Sequence, residues 1–315
     1  MKYDFPTPEG TMFPSMTVVS IINVCDFACT HCFYPQYVKQ RGYSRHNMET
    51  AVFRKIADEM GQYPGSILRF IAWGEPLLHP KMIEFTQYAN QVAPCSPISL
   101  ITNGYWLKPD ISKALMMVGL DLIEVSIDAA TPETYSRIRV SKYLDAFSRV
   151  EQNVKEMVCQ RNELGLKTRI TVSFIVRPTK ESVDEYAIFE QRWGGVADEI
   201  IKRKLHTFKG TVPAIAFLPS PRQPCYGLWT RCNINPWGQM SVCYNDWENK
   251  NVLGDLIDPG VTIAGVWQGT ALARLRANQQ KKIFTGICKT CKDYNADAWN
   301  HPYEQVVDRC RNKGL

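Results

Sequence analysis

Cys25, Cys29 and Cys32 fall within eight residues of the run Asn-Val-Cys-Asp-Phe-Ala-Cys-Thr-His-Cys-Phe-Tyr, a C-x3-C-x2-C set directly after a strand-like stretch. Three thiolates on one loop can hold three irons of a 4Fe-4S cube and leave the fourth open, whereas most such clusters use four cysteines. Zinc sites and structural thiols also use closely spaced cysteines, so the triplet alone leaves those chemistries open. A second set lies far downstream: Cys225, Gly238 after twelve residues, Cys243 after four more, and then Cys288-Lys-Thr-Cys291. Four thiolates close a cube completely, and C-x2-C pairs also bind zinc.

The elements that must position these residues alternate. Thr17 to Asn23 is β-branched and reads as a buried strand, followed by the cysteine loop and a helix over roughly Met48 to Gln62. Strands are expected at Ile67–Ile71, Ile98–Thr102, Leu122–Ile127, Thr168–Ile175 and Glu199–Leu205. Helices are expected at Pro80–Val92, at Pro109–Val118 with Gly119 as its stop, along the Tyr143, Phe147, Val150, Val154, Met157 stripe, and at Glu181–Trp193. Six successive strand-then-helix units imply parallel strands with right-handed crossovers, an α/β fold closing part of a TIM-like (β/α)6 barrel. From about residue 210 Gly and Pro become frequent and helical periodicity weakens. The expected organisation is therefore an N-terminal extension (1–16), the partial barrel (17–210) and a smaller cysteine-bearing domain (211–315).

With 315 residues and 45% hydrophobic content, the chain is long enough for such a pair of domains. No apolar signal core opens it and no uninterrupted apolar run of membrane-spanning length occurs, so a cytoplasmic protein is expected. Eleven cysteines in such a protein point to metal ligation rather than disulfides. The net charge of +6 is not gathered into long basic blocks, which argues against nucleic acid. Two local basic groups stand out: Lys202-Arg203-Lys204 with His206 and Lys209, and Lys281-Lys282 with Lys289 and Lys292 beside a cysteine pair. Each reads as a solvated face, a contact for an anionic substrate group, or a docking point for an acidic electron donor of flavodoxin or ferredoxin type.

The C-x3-C-x2-C loop, with an aromatic residue before its last cysteine, resembles the signature of the radical SAM superfamily. In that family an open iron chelates the amino and carboxylate groups of S-adenosyl-L-methionine (SAM), and one electron cleaves a carbon–sulfur bond. The resemblance puts His31 near the adenine. It matches Trp73-Gly74-Glu75-Pro76 to a family Gly-Gly-Glu-Pro segment beside the methionine part of SAM, with Trp73 in place of the first glycine. Asn103, Ser126 and Ser173, at or near later strand ends, correspond to SAM-contacting positions, and Arg139 resembles the arginine that pairs with the SAM carboxylate. Ligands of parallel α/β folds bind at those ends.

Cys225, Gly238 and Cys243 match the C-x9-15-G-x4-C opening of SPASM and twitch domains, and Cys288 with Cys291 completes a four-cysteine auxiliary site. Cys232 competes for the first position, but the distance from Cys225 to Gly238 fits better. The spacing is similar to that of 2-deoxy-scyllo-inosamine dehydrogenase-type twitch enzymes, which implies two 4Fe-4S clusters and SAM as cofactors. The resemblance implies a SAM-derived radical that removes a hydrogen atom from a hydroxylated small molecule such as a sugar or aminocyclitol. Dehydrogenation, with the auxiliary cluster as electron acceptor and His206 as base, is the first expectation; Lys202, Lys204 and His206 are expected to share one face. Epimerisation with Cys232 or Cys310 as hydrogen donor, maturation of a ribosomally made peptide, and a non-catalytic iron–sulfur electron carrier are the alternatives.

Overall fold

The computed structural model describes residues 12–71, 73–177, 179–208 and 222–294. Six parallel strands follow one another in space as in sequence: β1 (Met16–Val19), β2 (Ile67–Phe70), β3 (Ile98–Thr102), β4 (Leu122–Ser126), β5 (Arg169–Val176) and β6 (Glu199–Lys204). The other edge of β1 pairs in parallel with β7 (Arg231–Ile234), and β8 (Gln239–Ser241) and β9 (Val252–Asp255) extend it antiparallel. Among the described residues the sheet has nine strands, runs from β6 to β9 and does not close, which agrees with the expected partial barrel. Its C-terminal hairpin thus grows on the same sheet as the barrel strands.

The helices are α1 (Tyr34–Tyr37), α2 (Thr50–Gly61), α3 (Met82–Val92), α4 (Pro109–Met117), α5 (Pro132–Ile138), α6 (Ala146–Glu163), α7 (Lys180–Trp193), α8 (Gly227–Thr230), α9 (Ile263–Gln268) and α10 (Thr270–Gln280). Side-chain caps begin three of them: Thr131, Thr179 and Thr262 accept hydrogen bonds from the backbone N–H of Thr134, Ser182 and Gly265. Gly119 ends α4 at φ 95°, the left-handed geometry expected of a helix stop.

Register decides what each strand residue faces. Val19, Phe70, Leu100, Ile123 and Ile170 lie in one row, and their face packs on the helices, with Phe53 of α2 stacked on Phe70 at 5.8 Å. The opposite face lines the lumen. It carries an apolar floor of Met16, Val18, Ile67 and Leu122, and above it Arg69, Glu124, Ser126, Ser173 and Arg203. Glu124 is fully buried and accepts from Arg203 Nε at 2.6 Å; burial alone would raise its pKa, but Arg203 and then Arg69 pull it below the usual carboxylate value. No helix among the described residues is long and apolar enough to cross a membrane.

Candidate active site

The cysteine triplet occupies the loop leaving β1 and is fastened from three directions. Ala28 N–H donates to the Val140 carbonyl at 2.7 Å and Thr30 N–H to that of Ile138 at 2.9 Å, so the segment after α5 runs along the loop. Asp26 accepts from Asn103 Nδ2 at 3.2 Å and Trp106 Nε1 at 2.7 Å, tying the loop to the end of β3. The Tyr34 hydroxyl accepts from Cys25 N–H at 2.8 Å.

Cys29 is buried, and Cys25 and Cys32 are half-buried. Burial pushes all three thiols up, reinforced for Cys25 and Cys32 by the charge of Cys29, and Cys32 reaches about 12. Mutually repelling, desolvated thiols resist ionising alone, and bound metal cations supply the charge that makes them ionise. Three thiols on one loop fit an iron–sulfur cluster that takes three cysteine ligands.

Beside the triplet, a buried charged cluster joins the ends of β4 and β5. Arg139 Nη1 lies 3.3 Å from Asp128 Oδ2, 3.6 Å from Cys29 Sγ and 3.5 Å from His31 Nε2, while Nη2 donates to the Ser126 carbonyl. His31 Nε2 is 3.2 Å from the same Asp128 oxygen, and Arg177 Nη2 stands 3.5 Å from His31 Nδ1. Burial opposes the Asp128 charge, yet Arg139 and then His31 hold its pKa at about 2; burial lowers that of His31. Asp128 sits at φ 61°, a left-handed conformation that Asp tolerates better than most residues. Arg139 is therefore engaged by the protein itself, and its buried Nε has no hydrogen-bond partner among the described residues.

Gly74 is required by space: a Cβ there would stand 2.4 Å from the Val24 carbonyl oxygen and 2.8 Å from that of Ile22. The close approach is thus to the chain leading into the cysteine loop. Glu75, which precedes the short turn Pro76–Leu78, accepts from Thr102 Oγ1 at 2.6 Å, Asn103 N–H at 2.8 Å and Leu77 N–H at 3.1 Å. Burial pushes its pKa to about 7 against those three bonds. Ser126 and Ser173 are register partners on the lumen face, with Ser173 hydrogen-bonded to Glu124.

Cys225, Cys243, Cys288 and Cys291 line one cavity together with Arg222, Tyr244 and Asp293. Burial and the neighbouring thiols raise Cys243, and burial pushes Cys288 and Cys291 to about 11. Asp293 fastens this region to the end of β6, accepting from Thr207 N–H at 2.7 Å and Asn245 Nδ2 at 3.0 Å. The Cys225 N–H donates to Gln279 of α10 at 2.7 Å. These four thiols suit a fully cysteine-ligated cluster.

Cys232 lies elsewhere. It pairs in register with Thr17 on the helix-facing side of the sheet, 1% exposed, and is absent from the cavity of the other four. Lys202 also faces outward, its Nζ 4.3 Å above the Tyr186 ring, and Lys204 shares that side. The expectation that both lysines share a face with His206 fails because β6 ends at Lys204. Alternation instead turns Arg203 into the lumen. His206 follows the strand and meets the Tyr244 hydroxyl through Nδ1 at 2.7 Å. Cys310 lies outside the described residues. Sequence reading passed over Asp26, Trp106 and Arg177, and Asp128 was seen only as part of a strand-end segment; the cue at Asp128 was a carboxylate at a strand end, followed by an arginine eleven residues on.

A mostly parallel open sheet thus carries a cysteine triplet above β1 and a four-cysteine cavity beside β7, two sites suited to iron–sulfur ligation. The profile of the radical SAM superfamily matches residues 19–187, and the chain belongs to that superfamily. A second profile, SPASM, an iron–sulfur cluster-binding domain, matches residues 225–292, beginning at Cys225 and ending just past Cys291.

A curated relative, a probable GTP 3',8-cyclase of Saccharolobus islandicus, is 28% identical over 189 residues, 60% of this chain and 56% of that protein. The GTP 3',8-cyclase of Microcystis aeruginosa is 27% identical over 125 residues, 38% of this chain and 36% of its own. The chain thus spans little more than half the length of the first of these relatives. Among solved structures, BtrN in complex with AdoMet and 2-DOIA aligns with a TM-score of 0.60 at 14% identity, covering 91% of this chain and 96% of BtrN. SuiB of Streptococcus suis bound to its precursor peptide SuiA aligns at 0.65 and 10% identity, over 90% of this chain and 71% of SuiB. These likenesses establish the fold.

Proposed function

We propose that the chain is a radical SAM dehydrogenase that oxidises a hydroxyl-bearing carbon of a small polar molecule, such as a sugar or aminocyclitol, with two 4Fe-4S clusters. The observation that carries this reading is the convergence of Cys225, Cys243, Cys288 and Cys291 on one cavity. Four cysteine ligands use all four irons, which suits storage of an electron better than binding of substrate. When bound, the two clusters and SAM supply a 5′-deoxyadenosyl radical and an acceptor for one electron.

The chain's own residues do the rest. Cys25, Cys29 and Cys32 hold the first cluster, the Asp128–Arg139–His31 group fixes the charge beside it, and Ser126 and Ser173 face the lumen between. His206 is the proton acceptor for the substrate hydroxyl. In the tautomer that carries its ring proton on Nδ1 and donates it to the Tyr244 oxygen, Nε2 is the atom that takes the proton. Lys289 and Lys292, beside the Cys288–Cys291 pair in the chain, and Lys281 and Lys282 before it are exposed, which suits an acidic electron donor. The core placement of Cys232 gives no support to its use as a hydrogen donor for epimerisation.

The test is anaerobic turnover of a polyol and aminocyclitol panel with SAM and reductant in D2O. Equal amounts of 5′-deoxyadenosine and ketone, with no solvent deuterium on the product carbon, are expected. Deuterium at that carbon with no ketone would replace dehydrogenation by epimerisation. C243S is expected to cleave SAM yet lose ketone formation.

A further inference from the structure

Arg222 lines the cavity that holds the four downstream cysteines. Its Nη2 donates to the Cys288 carbonyl at 2.6 Å and its Nη1 to the Lys289 carbonyl at 3.2 Å, so the guanidinium is pinned to the C-x2-C turn. It also lies 3.8 Å from the ring centroid of Phe284 and 5.0 Å from that of Tyr294. Its Nε is buried without a hydrogen-bond partner. Among the described residues it forms no ion pair with a carboxylate. Asp293, the carboxylate lining the same cavity, is engaged by Thr207 and Asn245.

Carbonyls and aromatic faces hold a guanidinium in place without cancelling its charge, and Arg stays charged at every accessible pH. The anionic groups its position serves are then the thiolates. A cube held by four thiolates becomes more negative on reduction, and nearby charge tunes its potential.

We infer that Arg222 is a positioning and redox-tuning residue: its fixed positive charge favours the reduced state of the auxiliary centre and makes that centre a better one-electron acceptor. The inference rests on the reading of Cys225, Cys243, Cys288 and Cys291 as cluster ligands. No bond to Arg222 forms or breaks; one electron enters the cluster, from substrate in turnover or from dithionite in the titration.

The experiment is an EPR-monitored redox titration of the reconstituted full chain as wild type, R222Q and R222K, each with its iron counted. R222Q is expected to lower the electron affinity of the auxiliary centre at least tenfold, about 59 mV for a one-electron couple, while the SAM centre keeps its potential. R222K, which retains the charge, is expected to stay within about threefold, about 28 mV on the same scale. A loaded R222Q with an unchanged auxiliary potential overturns the inference, as does an equal shift of both centres. Wild type with about four irons per chain and one EPR signal would instead overturn the auxiliary-cluster reading. If R222Q does not retain the second cluster, R222K decides: a loaded lysine variant shifted tenfold or more overturns the role of charge.

Discussion

Phe33 and Trp247 stack with ring centroids 5.7 Å apart and planes 19° from parallel. Phe33 follows Cys32, and Trp247 stands four residues beyond Cys243, so the loops of the two cysteine sets touch through this pair. Phe208, four residues after β6, meets Phe33 at 5.3 Å and Tyr244 at 6.3 Å, closing the contact from the barrel side. Trp247 belongs to a buried aromatic group with Phe33, Tyr34, Tyr37 and Trp73. Truncating it should therefore loosen both loops together. W247A is expected to cost about 3–5 kcal/mol, read by denaturant unfolding of the reconstituted protein, and to slow cluster loading at both sites. Loss confined to one site would show that the pair does not couple them.

Iron content separates the two sets of cysteines. C29S is expected to leave about four irons per chain and abolish SAM cleavage, and C243S to leave about four while keeping it. C232A, which alters a core thiol on the helix-facing side of β7, should keep about eight irons and lose only about 1 kcal/mol of stability. A C232A protein short of four irons would place Cys232 among the ligands in place of Cys225.

Asp128 combines a left-handed backbone with a buried charge, and the two effects separate by substitution. D128N keeps a residue that tolerates φ 61° but leaves Arg139 without its carboxylate, an expected loss of about 3–5 kcal/mol. Because Asp128 is depressed from its ordinary 3.8 to about 2, its contribution is present above pH 3.8 and disappears as pH falls through about 2. That contribution is about 2 kcal/mol. Unfolding from pH 5 to pH 2 should therefore be shallower in D128N, and an unchanged slope would refute the pairing.

Glu75 titrates in the opposite sense. Its pKa rises from 4.5 unfolded to about 7 folded, so the native state binds the extra proton. The resulting stability is full below pH 4.5 and lost as pH rises through about 7, by about 3 kcal/mol. Apoprotein stability should fall between pH 5 and 8, and E75Q should flatten that fall. A fall of equal size in E75Q would assign it to other groups.

Gly74 offers a steric test. G74A would place a methyl group 2.4 Å from the Val24 carbonyl oxygen, and backbone rather than a flexible side chain would have to move. The cysteine loop follows directly, so G74A is expected to lose most of the SAM-site iron while retaining the second site. Full loading of both would show that the loop accommodates the methyl.

Much of this protein is local in origin. Apolar alternation and helical stripes are properties of short segments, so β2 to β6 and α2, α3, α4, α6 and α7 were legible within a few residues of their ends, whereas the two-turn α5 was not. Thiol spacing is local too, and the C-x3-C-x2-C loop and the C-x2-C turn carried their chemistry without a fold. Thr17 to Asn23 was read too long because the chain leaves the ladder after Val19, where Ser20 turns its hydroxyl to the Ile71 carbonyl at 2.9 Å. Beyond residue 210 the strands are three or four residues long, too short for a period to show, and β7 to β9 were missed.

Tertiary structure alone decided the rest, since strand register and loop contacts join residues far apart in the chain. Pairing of β7 with β1 put Cys232 in the core and left the lumen to its neighbours, a one-residue distinction that composition does not carry. The same alternation chose Arg203 over Lys202 for the interior. Asp128, Arg139 and His31 meet because the cysteine loop folds under the end of β4, and Cys225 and Cys243 reach Cys288 and Cys291 only through α10 and the hairpin between them. The sequence by itself determined which residues can bind metal; packing determined which of them face a common space.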